Sequence, residues 1–442
     1  MNELRMTKII AAVCLVLVVT GSFMLWQNGW IEGSIQKIEQ ISFLKILPKL
    51  AGFGEERNYL LLFQNNLELR PSGGYLGAFG IIKIKNAGVV SFEMHDTNIF
   101  DGFGKVQTEP PQPMKEHLGI SNWQMRDGNW SPDWPTAARQ VEYFYRLQGG
   151  TENFDGVIAL NASVLPDLME LIGPAYLEEF DKEFVAETVL YDLEYETERG
   201  YLERGIDAGE RKTVYKALVK NVLGGITENN FWQKNDLRGL VMNELAEKNI
   251  LLFFKDEKEQ EVVDELGWSG RVDQSHSGDY LMIVEANLGA RKSNAFVTRE
   301  VEYLVDFSKD APMANLKIKF THIGGEKDWF NHDYQVYLRI YAPYKSWLLA
   351  AYGTEDETEF LDEFGKTVFG NWIIIPSGET KTVEFSYLLP SRLKDETDYQ
   401  ILVQKQSGIN SLPLKFIFKE GEREEVEENI IKNDWEGVIE RK

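Results

Sequence analysis

From about Asp279 onward the apolar residues of this chain recur at every second position. Leu316, Ile318 and Phe320 alternate with polar residues, as do Val383, Phe385 and Tyr387, and again Leu414, Phe416 and Phe418. A period of two describes a strand with one face buried and one in water. Further strands are expected at residues 280–285, 296–307, 335–341, 347–352, 368–375 and 399–405, with Pro376-Ser377-Gly378 as the clearest turn between them. Several short alternating strands separated by turns predict an all-β sandwich of the immunoglobulin-like kind over 278–420. Residues 421–442 are acid-rich with scattered Val, Ile and Trp, which predicts a frayed helical tail.

Before that change the pattern is mixed. Strands are expected at 59–63, 77–85 and 89–94, the last two joined by the turn Asn86-Ala87-Gly88. Residues 135–145 read as a helix with Ala138, Val141 and Tyr145 on one stripe. A short strand at 154–160 is followed by a helix that Ser163 caps and Gly173-Pro174 stops. Helices at 183–198, 209–223 and 236–248, a strand at 249–254 and a last helix ending at Gly267 complete an α/β (α+β) layered domain over 57–277. A length of 442 residues suits two or three domains, so both parts fit.

The N-terminus sets the expected compartment. Arg5 and Lys8 precede an uncharged run from residue 9 to 26. As a helix that run spans roughly 27 Å, close to the thickness of a bilayer core. Positive charge in front of it predicts a cytoplasmic tail at 1–8, one transmembrane helix at 9–26, and the rest outside the cell. The competing reading is a signal peptide cleaved near Val19-Thr20-Gly21, which the continuation of the run to Trp26 disfavours. Residues 27–56 carry apolar residues at near-helical spacing and read as an amphipathic stalk. The single cysteine, Cys14, falls inside the apolar run, so no internal disulfide and no cysteine metal site can form. A net charge of −23 opposes binding to nucleic acid.

Most motif chemistry is excluded. There is no phosphate-binding glycine loop of either common type, and no Gly-x-Ser-x-Gly. No two of the five histidines share metal-ligand spacing on a helix. Three polar clusters remain. Gln64-Asn65-Asn66-Leu67-Glu68-Leu69-Arg70-Pro71-Ser72-Gly73-Gly74 ends an apolar run in amides, a carboxylate and an arginine, then turns on glycines. Arg70 beside amides freed by Gly73 and Gly74 makes an anion seat, and the plainer reading is a hairpin with a polar turn. His95-Asp96-Thr97-Asn98 closes the third strand. Arg126-Asp127-Gly128-Asn129-Trp130-Ser131-Pro132-Asp133 feeds a helix. If these share a rim, Arg70, Arg126, Arg139 and Arg211 converge on a phosphate or carboxylate, and Asp96 or Asp127 holds a divalent cation such as magnesium. The plainer alternatives are turn and cap roles for Asp127 and Asp133, and solvated helix faces for Arg139 and Arg211.

The first and third clusters, with Asp155-Gly156-Val157-Ile158-Ala159-Leu160-Asn161 and the stretch from Tyr280 to Gly289 with Lys292, resemble the uncharacterised DUF 4012 family over residues 57 to 420. That resemblance implies a bacterial protein with an N-terminal membrane segment and no established activity. Residues 135–171 are more faintly similar to LytR-CpsA-Psr phosphotransferases, which move glycopolymers from polyprenyl pyrophosphate to the cell wall. Asp96 and Thr97 match the end of that family's Ser-Ile-Pro-Arg-Asp-Thr motif. His95 stands where its arginine would be, and Asn65-Asn66 lie near its missing aspartate.

The expectation is therefore a single-pass, extracytoplasmic cell-envelope protein that binds a phosphorylated lipid-linked or glycan ligand. Arg70, Asp96, Arg126 and Asp127 would be its reactive centre. Asn65, Asn66, Glu68, Ser72, Gly73, Gly74, His95, Asn129, Arg139 and Arg211 would hold the ligand. A non-catalytic scaffold or adhesion protein that uses the sandwich is the alternative.

Overall fold

A fourteen-residue strand, β1 (Arg57–Arg70), runs through the centre of the first half of the chain. The computed structural model describes residues 45–104, 107–228 and 235–441. The run at 9–26 and most of the stalk lie outside these residues. Among the described residues no helix is long and apolar enough to cross a membrane. At the end of the stalk, Leu47, Leu50 and Ala51 are buried against the first core.

β1 pairs with β2 (Gly73–Lys85), which pairs with β3 (Gly88–Asp96). The expected turn between β2 and β3 forms, with Asn86 and Ala87 at φ 51° and 56°, the mirror-image turn that suits a twisted hairpin. On its other side β1 runs parallel to β4 (Gly156–Asn161). A small hairpin, β5 (Ala175–Leu177) with β6 (Lys182–Phe184), precedes β7 (Ile250–Phe254), which borders β4 and completes the order β3-β2-β1-β4-β7. The β5–β6 hairpin replaces the start of the helix expected at 183–198.

Alternation along β1 sends Leu60 and Leu62 to one face and Tyr59 and Leu61 to the other. The first pair packs under a helix at Trp134–Leu147, through Ala138, Val141 and Phe144. The second pair faces helices at Val164–Ile172, Val189–Tyr195, Thr213–Glu228, Asn235–Ala246 and Glu257–Glu265. Each fully buried Leu or Val contributes about 1.5–3 kcal/mol by leaving water. Asp133 caps the first of these helices by accepting from the Thr136 amide at 3.0 Å, with Pro135 in its first turn. Ser163 does not cap the second: its φ and ψ are −59° and −22°, already helical, and its hydroxyl makes no cap bond.

The second half is two six-stranded sheets around one core. One has β8 (Asp279–Asn287) between β11 (Tyr334–Pro343) and β16 (Asp398–Gln404). β9 (Val297–Asp306) and β10 (Met313–His322) start the other, which continues through β12 (Trp347–Tyr352) and β15 (Thr380–Leu388). β13 (Glu359–Glu363) and β14 (Lys366–Ile375) extend the first sheet beyond β11. Ile283, Leu338 and Ile373 of the first sheet share a core with Val301, Ile318 and Phe385 of the second.

The acidic tail departs from expectation. β17 (Leu412–Glu420) turns into β18 (Arg423–Ile431), and β19 (Trp435–Glu440) adds to β16. Residues 423–440 are thus the outer strands of both sheets rather than a frayed helix. Their glutamates lie on open faces, and Ile431 and Ile439 reach the core.

Candidate functional site

The polar block from Gln64 to Arg70, expected at a sheet rim, is a continuation of β1 itself. Residues 66–68 have no partner on β2, a register shift between Asn65 and Leu69 that bends the strand as a bulge does. Gly74 opposes this bend, and a β-carbon there would lie 2.2 Å from the Asn65 backbone. A β-carbon on Gly73 would meet Gln64 and Asn161 within 2.5 Å. The glycines therefore permit close packing. Their role as an anion seat has no support in this geometry, because side chains of the same chain already fill the space. Ser72 is likewise enclosed: its carbonyl accepts from Gln64, and its hydroxyl donates to Asn129 at 3.4 Å.

The bend aims Arg70 into the junction between the two halves. Its guanidinium uses all of its donors within the chain. Nε and Nη2 donate to Asp127, each at 3.1 Å, and Nη2 also donates to Glu68 at 2.8 Å. Nη1 donates to the Leu69 carbonyl and, at 2.7 Å, to the Asn287 carbonyl of β8. Lys292 closes the cluster on Glu68 at 2.9 Å. Burial pushes the Glu68 carboxyl up, but Lys292 and Arg70 outweigh it and hold the group below the usual carboxylate range. At Asp127 burial wins over Arg70, and its carboxyl is raised.

The other blocks meet here too. Asn129 donates to Gln64 at 2.7 Å and to the Gly74 carbonyl at 2.8 Å. Asn161 of β4 reaches Ser407 at 3.1 Å, and Asn66 donates to the Gly408 carbonyl at 3.0 Å. Trp130 lies against Arg339 of β11, whose Nη2 donates to its carbonyl at 2.9 Å. The segments that carry the family resemblance are therefore mutual partners, and what they build is the seam between the two halves.

Beside the seam lies a cavity of about 1030 Å³. Its apolar walls include Phe63 and Leu160 from the sheet, Leu165, Leu168, Leu190, Leu193 and Val219 from the helices, and Trp329 from the second half. Asn65, Glu68, Arg70, Arg126, Asp127 and Arg211 line it as well. Asn65 donates to Glu194 at 2.6 Å, and Tyr215 donates to the same carboxylate at 3.1 Å. Arg126 lies near Asp101 and Asp127, and donates to Gln124 and Asn98. Arg211 pairs with Glu198 at 3.1 Å.

The remaining expected residues are elsewhere. Asp96 sits just behind the wall, paired with Lys212 at 2.8 Å while it caps the short helix Thr97–Asp101. His95 stacks on Phe79 at 4.9 Å, on the face of β3 opposite Met94, which lines the cavity. Arg139 lies over the Phe253 ring at 4.8 Å on the far side of the sheet. Asp96 and Asp127 do not form a magnesium site, since Lys212 and Arg70 occupy them. Among the described residues no group of three acidic, His or Cys side chains could hold a metal ion. Glu194, Tyr215, Arg199, Arg291, Trp329 and His332 line the cavity without having been expected to. Glu194, Arg199 and Tyr215 sit on helical turns whose sequence signal is local apolar richness, whereas Arg291, Trp329 and His332 lie in loops.

Residues 54–196 match the family model described as a protein of unknown function, DUF4012. The match supports that family over those residues. No curated protein matches. Among solved structures, the Lin1025 protein of Listeria innocua is 12% identical with a TM-score of 0.26, covering 49% of this chain and 81% of that one. A Legionella pneumophila protein, provisionally named a nutrient binding protein, is 7% identical with a TM-score of 0.19 over 28% of this chain and 49% of that one. Scores this low assign no common fold.

Proposed function

We propose that this is a membrane-anchored, extracytoplasmic protein that takes up a molecule with a long apolar tail and an anionic head, such as a lipid-linked phosphorylated glycan. The cavity carries this reading. Its volume of about 1030 Å³ stands at the upper end of the range for pockets that enclose small ligands. Apolar helix residues form its body, and cations are gathered along its wall. The uncharged run at 9–26 supports placing that mouth near a lipid surface. Binding is better supported than phosphotransfer, because the donors of Arg70 are all used within the chain and Asp96 and Asp127 are paired with Lys212 and Arg70.

The test is native mass spectrometry of the full chain in detergent micelles, with a long-chain isoprenyl phosphate added. Wild type is expected to carry one lipid. Leu193→Trp, which fills the cavity from within, is expected to carry none while melting within a few degrees of wild type. Equal uptake by both proteins, or none by either, removes the proposal.

One observation favours a scaffold role. Edge strand β12 exposes Trp347 at 71% and Tyr352 at 63%, and exposed aromatics on an unpaired edge suit a protein partner. In that case Trp347→Ser abolishes site-specific crosslinks from β12 in cells and leaves lipid uptake unchanged.

A further inference from the structure

Most of the cations around the cavity are spent on this chain's own acids: Arg70 and Lys292 on Glu68, Lys212 on Asp96, Arg211 on Glu198. Arg199 and Arg291 are not. Both are exposed and line the cavity, and neither guanidinium has a hydrogen bond or ion pair among the described residues. The Arg199 guanidinium lies over the face of Trp329, 5.9 Å from the ring centre. This is unexpected in a chain with 70 acidic and 47 basic side chains, where an arginine left alone usually finds a carboxylate.

The two arginines share a neighbourhood although they come from different halves. Burial together with the charge of Arg291 holds the His332 imidazole below its usual range. The Asp328 carboxyl is held down by the Asn331 and Phe330 amides, with help from His332 and Arg199. Of the acids on this loop, Asp328 has its Oδ1 occupied by those amides at 2.6 and 2.8 Å, Asp333 pairs with Lys327 at 2.6 Å, and the third is Glu326. Trp329 packs on Tyr191 and Tyr195 at 5.7 and 5.9 Å, next to the apolar wall at Leu190 and Leu193.

We infer that Arg199 and Arg291 form a phosphate clasp at the cavity mouth, one arm from each half of the molecule, and that this clasp selects a phosphorylated head for a tail seated inside. A carboxylate satisfies one guanidinium fork, whereas a phosphate or diphosphate has oxygens for two. The inference rests on the cavity accepting the tail.

The experiment compares three probes on the full chain in micelles: a long-chain isoprenyl phosphate, the matching free alcohol, and inorganic pyrophosphate. Wild type is expected to prefer the phosphate over the alcohol by about a hundredfold, about tenfold for each charged donor. In the double variant Arg199→Gln/Arg291→Gln the preference falls to a few-fold, with alcohol affinity and melting temperature unchanged because both side chains are exposed. A double variant that keeps the preference overturns the clasp and leaves the cavity reading intact. If wild type takes neither lipid, the cavity reading falls. Pyrophosphate then judges the clasp alone: binding lost in the double variant supports a site for soluble phosphates, and no binding to wild type overturns it.

Discussion

Arg70 holds the seam, and its partners decide how a substitution will read. Glu68 and Asp127 are both buried with it, so Arg70→Ala leaves Glu68 to Lys292 and leaves the Asp127 carboxylate with only Arg126, 4.0 Å away, among the described residues. Breaking a buried pair in this way costs about 3–5 kcal/mol, measurable as a shift in urea midpoint. Arg70→Lys keeps the charge but cannot reach two acids and two carbonyls together, and is expected to lose a large part of the same stability. A ligand-binding Arg70 would instead lose affinity with the melting point unchanged. A second buried acid gives a pH signature. Burial raises the Asp279 carboxyl to about 6, against the pull of the Tyr399 and Tyr303 hydroxyls. Between pH 4 and 6 the unfolded chain loses this proton and the native one keeps it, so its contribution to stability is full below about pH 4 and fades as the pH rises. Asp279→Asn has no such proton to lose, so its stability deficit relative to wild type should narrow from pH 4 to 6 in denaturant titrations. At this scale the sequence marked polar residues that meet in the fold but could not show that Arg70 is saturated, because that depends on carbonyls such as that of Asn287, distant in sequence. The same limit hid Arg199 and Arg291, whose interest lies in the partners they lack.

At the scale of elements, periodicity carried most of the reading. The strands around 316–320, 383–387 and 414–418 were visible because their buried residues alternate with polar ones, whereas 280–285 was legible as an unbroken apolar run and is buried on both faces. The tail was not: β18 buries Ile431 and leaves Glu424, Glu425, Glu427 and Glu428 in water, so charge masks its pattern. Acidic side chains on an outer strand also keep a second chain from adding to the sheet. Deleting residues 421–442 uncovers β16 and β17 and the core beneath Ile431 and Ile439. The truncated protein is expected to melt lower and to aggregate on concentration, as followed by light scattering. β1 was seen as a short strand with a turn because amides and charges interrupt its apolar run. The bulge after Asn65 takes Asn66 and Glu68 out of the ladder, where their side chains bond to the seam, and pairing resumes at Leu69.

For the whole molecule, the seam predicts a single unfolding event. Gln406 donates to the Arg70 carbonyl at 3.1 Å, Lys248 pairs with Asp434 at 2.6 Å, and Ser407 donates to the Lys248 carbonyl at 2.7 Å. Gly408 fits by lacking a side chain: its φ is +86°, and a β-carbon would stand 2.7 Å from the Gly73 carbonyl. Calorimetry of wild type should show one transition. Gly408→Val should lower it or split it in two, as each half then melts on its own core. The walls of the cavity belong to both halves, with Leu193 and Trp329 on opposite sides of the division. Any guest held there is bound by the same closure that unites the halves, and thermodynamic reciprocity makes the two inseparable. Filling the chamber stiffens the joint, and loosening the joint releases the guest. Whatever grips the outer β-sheets can thereby sense whether the protein is loaded, without touching the cargo.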